Sequence, residues 1–464
     1  MASNKWYTKI PHPVIMLFSI IVLMTILSYI IPAGAYERIL AEGRQRVVPG
    51  SFKYIDQTPI SFMDMFRAFP IGFKTAIEII WVVLASGIMF GILEKSKMIE
   101  NGVASFIKAL GSERKFLIII ILTFVYGMLG VAVGYENNIA MVPIAAVVVL
   151  ALGGDLVLAA GVSVAAITVG FGLSPINPYT VGTGHKIAEM PLFSGFLLRA
   201  VLCFIGMSLL AFYNIRYFKK IILNKSEGLG NDLNEEGFRL SKPLESYQMT
   251  ANNWLVLMIF LGGLGVMLFG IFKWHWFINE VSSIFLIITI LTGIFCRMNP
   301  TEFSNTVLKS VAVVAPGAFM VGLATTIKVI MEMGNIGDSI AYTLSSGLSY
   351  LPIYASAIVM SLSQCVMNFL IPSGSGQALA TLPIMLPVGE LVGLTRQSTI
   401  LAFQIGDGVT NLVNPTLGGL IAMLSLCRVP FDKWLKFIAP LVLWILIIAL
   451  CFLVFSVAIE WGPV

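Results

Sequence analysis

One long apolar stretch of this chain is broken at its centre, and the break constrains the fold more than any other feature. Between residues 156 and 187 the apolar sequence is interrupted by GLSPINPYTVG, residues 172–182, in which Pro175 and Pro178 flank Asn177. Proline lacks a backbone donor and ends or kinks a helix. In a bilayer every backbone N–H and C=O needs a partner, so unwound backbone is tolerated only within protein or beside a watery cavity. The segment therefore predicts an unwound point in a membrane helix that protein surrounds.

Composition places the whole chain in a bilayer. Of 464 residues, 58% are hydrophobic and 11% are charged, whereas soluble domains carry about 25% charged residues. Repeated runs of about 20 uncharged residues predict an all-α polytopic membrane protein. The first run is too long for the core of a signal peptide and is interpreted as the first membrane helix. The net charge of +5 therefore gives no indication of a nucleic-acid partner.

Cysteine and histidine usage argues against an enzyme. The five cysteines lie in or beside apolar runs without a C-x-x-C pair, and the three histidines are far apart in the chain. Buried small hydrophobic residues are the expected role of such cysteines. No nucleophile pair, metal-ligand spacing or phosphate loop is found, because SGSG lacks the lysine of a P-loop. We expect no cofactor beyond a coupling ion, either Na⁺ or H⁺.

The apolar runs predict about nine full crossings and two ambiguous stretches. The crossings are expected at about 14–33, 70–94, 156–187, 192–216, 251–272, 279–296, 308–333, 397–427 and 434–458. The ambiguous stretches, 116–151 and 352–388, have the polar centres GYENN (134–138) and PSGSG (372–376). Each stretch is either two short crossings or one re-entrant hairpin that dips to mid-membrane and returns.

The distribution of lysine and arginine predicts the orientation. With a cytoplasmic N-terminus and two hairpins, eighteen of these residues fall inside and eight outside. This excess agrees with the positive-inside rule, so we expect a multi-pass protein of the cytoplasmic (inner) membrane with its C-terminus outside. The polar segment 217–250 is interpreted as a cytoplasmic linker between residues 1–216 and 251–464. The outer segment 34–69 is expected to form a small irregular cap.

The two halves carry the same pattern. Glu136 precedes Asn177 by 41 positions, and Ser373 precedes Asn414 by 41 positions. Both breaks end in [Ser/Asn]-x-x-Asn-Pro, as SPINP and NLVNP. The extra crossing at 251–272 inverts the second unit relative to the first. Inverted repeats with discontinuous helices at the midplane are typical of secondary transporters.

Four motifs resemble a known family over nearly the whole chain. GYENNIAMVP, GFGLSPINPYTVG, FLIPSGSGQALATLPIMLP and GDGVTNLVNPT look like those of the C4-dicarboxylate anaerobic carrier family, within the ion transporter superfamily. The most similar branch is described as basic amino acid (arginine/ornithine) antiporters. The resemblance implies two inverted repeats with re-entrant hairpins and unwound helices. It also implies a homodimer held by scaffold helices and an elevator-like transport domain.

The hairpin tips depart from the superfamily pattern. Members with Ser-Asn-Thr at both tips use these residues for sodium and carboxylate. This chain has Glu136-Asn137-Asn138 and Ser373-Gly374-Ser375 instead. The resemblance therefore leaves the coupling ion open.

A break in a membrane helix leaves two half-helix ends. The free N–H groups at one end attract anions, and the free carbonyls at the other end coordinate cations. One half of a substrate and ion site is predicted at Asn137, Asn138, Ser174 and Asn177, and the other at Ser373, Ser375, Thr410, Asn411 and Asn414. The breaks are assigned to Gly172, Pro175, Pro178, Gly374, Gly376, Gly406, Gly408 and Pro415. Candidate Na⁺ ligands are Asn138, Ser174 and Asn177, and Ser375, Asn411 and Asn414. The alternative is that these side chains only cap half-helices.

Two acidic residues add to the predicted site. A carboxylate at bilayer depth costs about 2.5–3.5 kcal/mol or more and marks a functional site by default. Glu136 and Asp407 could each bind a cation, carry a proton, pair with a cationic substrate, or pair locally with backbone. Two acids disfavour a dianion, which favours an amino acid, including a basic one, over a C4-dicarboxylate. A channel is the more distant alternative, and Arg199 is expected to be structural or lipid-facing.

Overall fold

The computed structural model describes residues 13–41, 44–48, 50–239, 246–274, 276, 278–347 and 351–462. These residues form a helical protein with four short strands in two small sheets. Residues 240–245 of the predicted linker lie outside the described residues. The helical architecture confirms the predicted all-α class.

The first half of the chain begins with a helix and the small strands, and continues as helices. In chain order the elements are α1 (Pro13–Leu27), β1 (Gly34–Ala35), β2 (Arg38–Ala41), β3 (Arg44–Val47), β4 (Lys53–Tyr54), α2 (Phe62–Thr75), α3 (Ile77–Lys95), α4 (Met98–Leu110), α5 (Lys115–Val133), α6 (Val142–Ala151), α7 (Leu156–Ala160), α8 (Ala166–Gly172), α9 (Thr183–Ile187) and α10 (Phe196–Leu223). Short 3-10 turns occupy Ser112–Arg114, Glu136–Met141 and Lys225–Glu227, and π turns occupy Gly161–Ala165 and Pro178–Gly182.

Among its described residues, the second half contains helices joined by turns and loops. Its elements are α11 (Ala251–Trp274), α12 (Ile278–Phe295), α13 (Pro300–Met333), α14 (Gly337–Ser346), α15 (Ile353–Leu370), α16 (Gly374–Leu391), α17 (Arg396–Thr410), α18 (Gly418–Leu426) and α19 (Phe431–Ala458). Within the described residues, six helices are long and apolar enough to cross a membrane, namely α3, α10, α12, α13, α15 and α19. The exact number of crossings and the repeat stay predictions.

The predicted crossing at 70–94 begins differently in the structure. Helix α2 starts at Phe62, where Ser61 Oγ accepts a hydrogen bond from the Asp64 N–H at 3.1 Å. It ends at Thr75, and Ala76 separates it from α3. Helices α4 and α14 were not predicted, because both carry polar residues and neither contains an apolar run of membrane length.

The segment expected to form a cap contains the two small antiparallel sheets, β1 with β4 and β2 with β3. Its contacts with α14 include an ion pair and a ring stack. Arg38 Nη2 lies 2.7 Å from Asp338 Oδ1, and the Phe52 ring stacks on Tyr342 with centroids 4.1 Å apart. The cap is therefore fixed to the helix that leads into α15.

The helices pack as two groups. In one group, α3 packs against α12 and α13, α13 against α1 and α2, and α11 against α12 and α4. In the other, α5 packs against α8 and α10, while α17 contacts α8, α15, α16 and α19. The groups meet where α13 packs on α18 and where α3 contacts the turn after α5. Helix α8 and the α17 half of the second interrupted helix thus belong to one group, whereas α18 packs on α13 of the other.

The described part of the linker packs on the helix group that contains α5, α8 and α10. Asp155, the N-cap of α7, accepts at Oδ2 from the Tyr217 hydroxyl at 2.8 Å and from the Gly230 N–H at 3.0 Å. The Leu229 N–H donates to the Tyr217 hydroxyl at 2.8 Å. Burial raises the pKa of Asp155 above its ordinary value, whereas the hydrogen bonds from Tyr217, the Gly230 N–H and the Leu158 N–H favour the charged carboxylate.

The end of this docked segment touches both helix groups. Phe238 is buried, and its ring lies 5.9 Å from that of Phe90 on α3. The Arg428 guanidinium, which follows α18, lies 4.7 Å from the Phe238 ring centroid. Arg428 Nη1 also donates to the Asn234 carbonyl at 3.4 Å. The described part of the linker therefore connects the two helix groups at this end of the molecule.

Tyr217→Phe tests the docking of the linker. It removes a hydroxyl that donates to a carboxylate and accepts from Leu229, and a bond to a charged group contributes about 1.5–3 kcal/mol. We expect amide exchange in residues 228–239 to rise about tenfold or more, as measured by mass spectrometry. Tyr213→Phe is the control, because that hydroxyl donates to the Phe437 carbonyl and not to the linker. Equal exchange in both variants would refute this role.

Candidate functional site

The first interrupted helix is held together by Asn177. Helix α8 ends at Gly172, and the next helical turn begins at Pro178 with Asn177 as its N-cap. Asn177 Oδ1 accepts from the N–H groups of Tyr179 at 2.8 Å and Thr180 at 3.4 Å. Its Nδ2 donates to the Phe171 carbonyl at 3.1 Å. One amide therefore satisfies backbone groups on both sides of the break, as a buried helix end requires.

Asn414 has a matching role in the second interrupted helix. Helix α17 ends at Thr410 and α18 begins at Gly418. Asn414 Oδ1 accepts from the Thr416 N–H at 2.9 Å, and Nδ2 donates to the Asn368 carbonyl on α15 at 2.8 Å. Asn177 thus caps the turn that follows it, whereas Asn414 holds the unwound segment itself, since the N-cap of α18 is Leu417. Capping by these side chains was the alternative left open by the sequence.

The two interrupted helices cross with their backbones in contact. A Cβ added to Gly172 would lie 2.6 Å from the Gly408 Cα, and one added to Gly408 would lie 2.4 Å from the Gly172 Cα. Both obstacles are backbone atoms, which cannot rotate away as a side chain could. The crossing therefore requires glycine on both helices. Gly406 makes a second close approach, because its Cβ would lie 2.4 Å from Gln364 Cβ on α15.

The second predicted hairpin has its turn at the start of α16. Helix α15 ends at Leu370, and Ser373 caps α16 by accepting at Oγ from the Gly376 N–H at 3.3 Å. A Cβ added to Gly374 would lie 2.6 Å from Thr180 Cγ2 and 3.3 Å from Asp407 Oδ2. The start of α16 therefore touches both interrupted helices at once. Its N-terminal N–H groups give this point a positive partial charge.

The tip of the first predicted hairpin turns back on its own helix. Asn138 is buried, and its Nδ2 donates to the carbonyls of Gly134 at 2.6 Å and Leu129 at 3.2 Å. These carbonyls lie at the C-terminal end of α5. Because the following 3-10 turn does not continue the helix, they lack helical N–H partners. The side chains of Glu136 and Asn137 lie outside the described part of the structure.

Ser174 is also engaged with nearby backbone. Its Oγ donates to the Val131 carbonyl at 3.2 Å and accepts from the Ile176 N–H at 3.1 Å. The Ser174 carbonyl accepts from Gln404 Nε2 at 2.7 Å. Pro175 lies within this unwound segment, and Pro415 lies in the corresponding segment of the second break.

A cavity of about 200 Å³ lies where these elements converge. Its polar lining comes from the start of α16 and from the second break, and aromatic rings form much of the remaining wall. The lining residues are Ile79, Tyr135, Phe171, Tyr179, Ile278, Pro372, Ser373, Gly374, Ser375, Asn411 and Leu417. Four of the predicted residues, Ser373, Gly374, Ser375 and Asn411, therefore share one cavity. An apolar pocket with a few convergent polar groups is the usual form of a small-molecule site.

Asn368 is a site residue that the sequence prediction missed. From α15 its Nδ2 donates to the Asp407 carbonyl at 2.9 Å, to Thr410 Oγ1 at 2.8 Å and to Asn411 Oδ1 at 2.7 Å. It thus joins three predicted residues of the second break. An uncharged polar residue within the apolar run QCVMNFL was the available signal.

Several buried oxygens around this point could hold a cation. Asn368 Oδ1, Thr180 Oγ1 and Gln377 Oε1 are buried and have no hydrogen-bond partner among the described residues. Hard oxygen ligands of this kind suit alkali and alkaline-earth cations. Groups of three or more histidine, cysteine, aspartate or glutamate residues suited to a metal ion are absent from the described residues.

A helical membrane protein in which two interrupted helices cross beside a polar-tipped hairpin and a small cavity is built as a transport protein. The family model described as "C4-dicarboxylate anaerobic carrier" (DcuC) matches residues 10–458. The chain belongs to this family and is a multi-pass membrane transporter rather than an enzyme.

Individual relatives match over most of their length. The chain is 29% identical over 480 residues to the "Putative basic amino acid antiporter YfcC" of Escherichia coli (strain K12), covering 94% of this chain and 93% of the relative. Two transporter structures are similar, the YdaH transporter of Alcanivorax borkumensis and MtrF of Neisseria gonorrhoeae, described as one of a class of antimetabolite efflux pumps. YdaH has a TM-score of 0.45 and 15% identity, covering 98% of this chain and 100% of that one. MtrF has a TM-score of 0.46 and 19% identity, covering 98% and 97%.

Gly408→Ala tests the crossing. A methyl group there meets backbone, and overpacking of this kind typically costs about 1–3 kcal/mol. We expect a lower midpoint of thermal unfolding for the purified protein. Gly262→Ala on α11 is the matched control, because a Cβ there meets nothing within 4 Å and alanine favours a helix. Equal midpoints for the two variants would contradict the contact.

Proposed function

We propose that this transporter is a secondary active transporter of elevator type. It moves a small carboxylate-bearing organic solute across the cytoplasmic membrane by cation coupling or exchange. The observation that carries this proposal is the cavity between the start of α16 and the two helix breaks. A site shared by two interrupted helices and a hairpin tip can change its access when these elements move together.

The start of α16 is proposed as the carboxylate site. Gly374 and Ser375 line the cavity in the first turn of an 18-residue helix. N–H groups in a first turn lack helical acceptors and attract anions. The Ser373 and Ser375 side chains line the same cavity. A single carboxylate of the solute would bind there.

Asp407 is proposed to select against a second carboxylate. It is 1% exposed, and its Oδ2 would lie 3.3 Å from a Cβ on Gly374. A solute with an ammonium group beside its carboxylate complements this arrangement, whereas a dianion would face a buried acid. An amino acid, including a basic one, is therefore favoured over a C4-dicarboxylate. The name of the Escherichia coli relative also describes basic amino acids, whereas the family description keeps the dicarboxylate as the alternative.

The coupling ion is proposed to be Na⁺ or H⁺. The proposed Na⁺ positions keep Asn138, Ser174 and Asn177 on one side and Ser375, Asn411 and Asn414 on the other. Asn177 Oδ1 and Asn414 Oδ1 already accept backbone N–H groups, so carbonyls exposed by the breaks would supply most of the ligands there. Asn368 Oδ1 and Thr180 Oγ1 are additional candidates. For H⁺ coupling, Asp407 or Glu136 would carry the proton.

Two inverted repeats are proposed as the basis of the movement, one in residues 1–216 and the other in residues 251–464 after the connecting helix at 251–272. The pairs α5 with α8 and α15 with α17 both pack closely, and Asn177 and Asn414 each accept a backbone N–H within two residues of a break. The helix group built from α5, α8, α10 and α17, taken together with α18, would be the moving body. The group around α3 and α13 would be the scaffold, which in a homodimer would also hold the two copies together.

Cavities at opposite ends of α3 support alternating access over a channel. The 200 Å³ cavity touches Ile79 near the start of α3. A separate cavity of about 900 Å³ is lined by Glu94 and Lys95 at its other end and by Glu302 at the start of α13. With the proposed orientation, N-terminus inside and C-terminus outside, the smaller cavity lies toward the outer face and the larger toward the cytoplasm.

Solute identity is tested first by thermal shift of the purified protein with amino acids and dicarboxylates, with and without Na⁺. Solutes that stabilise are then measured for uptake into proteoliposomes. We expect an amino acid to stabilise, with uptake that requires an ion gradient or counter-solute. Stabilisation by dicarboxylates alone favours the alternative solute. Uptake that needs neither driving force and is far faster than elevator turnover indicates a channel.

Asn177→Ala and Asn414→Ala should each lower uptake at least tenfold while the protein stays folded and dimeric by size-exclusion chromatography. Each substitution leaves backbone groups at a buried break without their partners. Asn101→Ala on α4 is the control, because its side chain donates to Asn253 Oδ1 on α11 and does not line the 200 Å³ cavity. Unchanged uptake in both break variants would overturn the site assignment.

Asp407→Asn should alter the dependence of uptake on pH or on Na⁺, since the amide cannot carry the charge or the proton. Glu390→Gln is the matched control, because Glu390 is an exposed residue of α16 that pairs with Arg396 at 2.6 Å. Uptake is measured across pH at fixed Na⁺ and across Na⁺ at fixed pH. Superimposable profiles for Asp407→Asn and the unmodified protein would remove Asp407 from coupling.

A further inference from the structure

Arg199 is a buried cation within a membrane helix. It lies on α10 and is 1% exposed, so of the two expected roles, structural or lipid-facing, the lipid-facing one is wrong. None of the ion pairs found among the described residues involves Arg199. A buried charge is costly unless it is paired or hydrogen-bonded. The structure therefore has to supply neutral acceptors for it.

Amide and carbonyl oxygens supply those acceptors. Arg199 Nε donates to Gln404 Oε1 at 3.0 Å, and Nη1 donates to Gln397 Oε1 at 2.8 Å and to the Ser194 carbonyl at 3.1 Å. The guanidinium carbon lies 4.6 Å from the Trp461 ring centroid, within range of a cation–π interaction. Arg199 is thus fixed from several sides.

The two glutamines connect Arg199 to both sides of the first break. They are seven residues apart on α17, which places them two turns apart on the same face. Gln404 Nε2 donates to the Ser174 carbonyl at 2.7 Å, on the α8 side of the break. Gln397 Oε1 lies 3.3 Å from His185 Nε2 on α9, on the far side.

Arginine determines which way the Gln404 amide faces. A guanidinium donates hydrogen bonds and accepts none, so Gln404 must present its oxygen to Arg199. Its nitrogen then faces the Ser174 carbonyl. Arg199 and the Ser174 carbonyl therefore favour the same orientation of this amide, and loss of Arg199 removes one of the two interactions that hold it in place.

We propose that Arg199 is a positioning residue for the transport site. It acts through Gln404 to hold the Ser174 carbonyl and thereby the unwound segment that precedes Tyr179 and Thr180. Tyr179 lines the 200 Å³ cavity, and Thr180 touches the start of α16. The proposal rests on the proposed function for its effect on solute affinity, whereas its effect on the break is independent of any solute.

Three variants separate this role from simple packing. Gln404→Glu keeps an acceptor for Arg199 but removes the donor to Ser174, and Arg199→Gln removes the cation that orients the amide. Gln397→Leu is the matched control, because it removes an acceptor of Arg199 without touching Ser174. Gln404→Leu serves as a second variant should Gln404→Glu fail to fold.

Amide exchange of peptides covering residues 171–182 gives the first readout, with the full-length protein in lipid nanodiscs. We expect Gln404→Glu and Arg199→Gln to exchange at least tenfold faster there than the unmodified protein. Gln397→Leu should match the unmodified protein in these peptides. Unmodified protection in Gln404→Glu, or equal loss in Gln397→Leu, would overturn the positioning role.

Uptake gives the second readout, with the best solute from the thermal-shift screen. We expect Gln404→Glu to raise KM at least tenfold with the maximal rate within twofold, and Gln397→Leu to leave KM unchanged. Equal KM values in these two variants would refute the effect on affinity. If the unmodified protein transports no tested solute, the proposed function fails while the exchange result still decides the position of the break.

Discussion

The contact of Gly172 with Gly408 is the constraint on which the rest of the site depends. It brings the ends of two interrupted helices together with backbone against backbone. Neither position has space for a Cβ, so the two helices pack with their backbones in direct contact and the breaks lie close together. The start of α16 can then touch Thr180 of one break and Asp407 of the other. Separating the helices by the width of a methyl group would disrupt this convergence.

Unwound backbone in this buried part of the protein persists because side-chain amides replace the lost helical hydrogen bonds. Asn177 and Asn414 each accept from a backbone N–H two residues later and donate to a backbone carbonyl. Asn368 joins α15 to the second break, and Gln404 joins α17 to the first. Neutral amides suit this task, since each provides donors and an acceptor without the desolvation cost of a charge.

The sequence predicted those features that depend on local chemistry. Proline positions located both breaks, and the polar PSGSG segment located the turn between α15 and α16. The assignment of Gly406 and Gly408 to the second break was wrong, because both lie within α17, where they allow close backbone approach instead. Features that depend on tertiary contacts were missed. Arg199 resembled a residue that could face lipid, because its acceptors Gln397 and Gln404 lie about 200 positions later in the chain. Nearly uniform apolar helices have no periodicity that reveals a buried face, so the role of Asn368 also needed the structure.

The end of α2 at Thr75 was missed for a related reason. The residues on either side of Ala76 are helical and largely apolar, so composition alone gave one continuous crossing. The same limit applies to α4 and α14, whose polar residues conceal them from a search for apolar runs.

A solute-bound structure in lipid tests the central claim most directly. The account predicts density for one solute within the cavity lined by Ser373, Ser375, Tyr179 and Asn411, with its carboxylate against the first turn of α16. Solute density confined to the larger cavity beside Glu94 and Glu302, or a solute carboxylate turned away from α16, would contradict it.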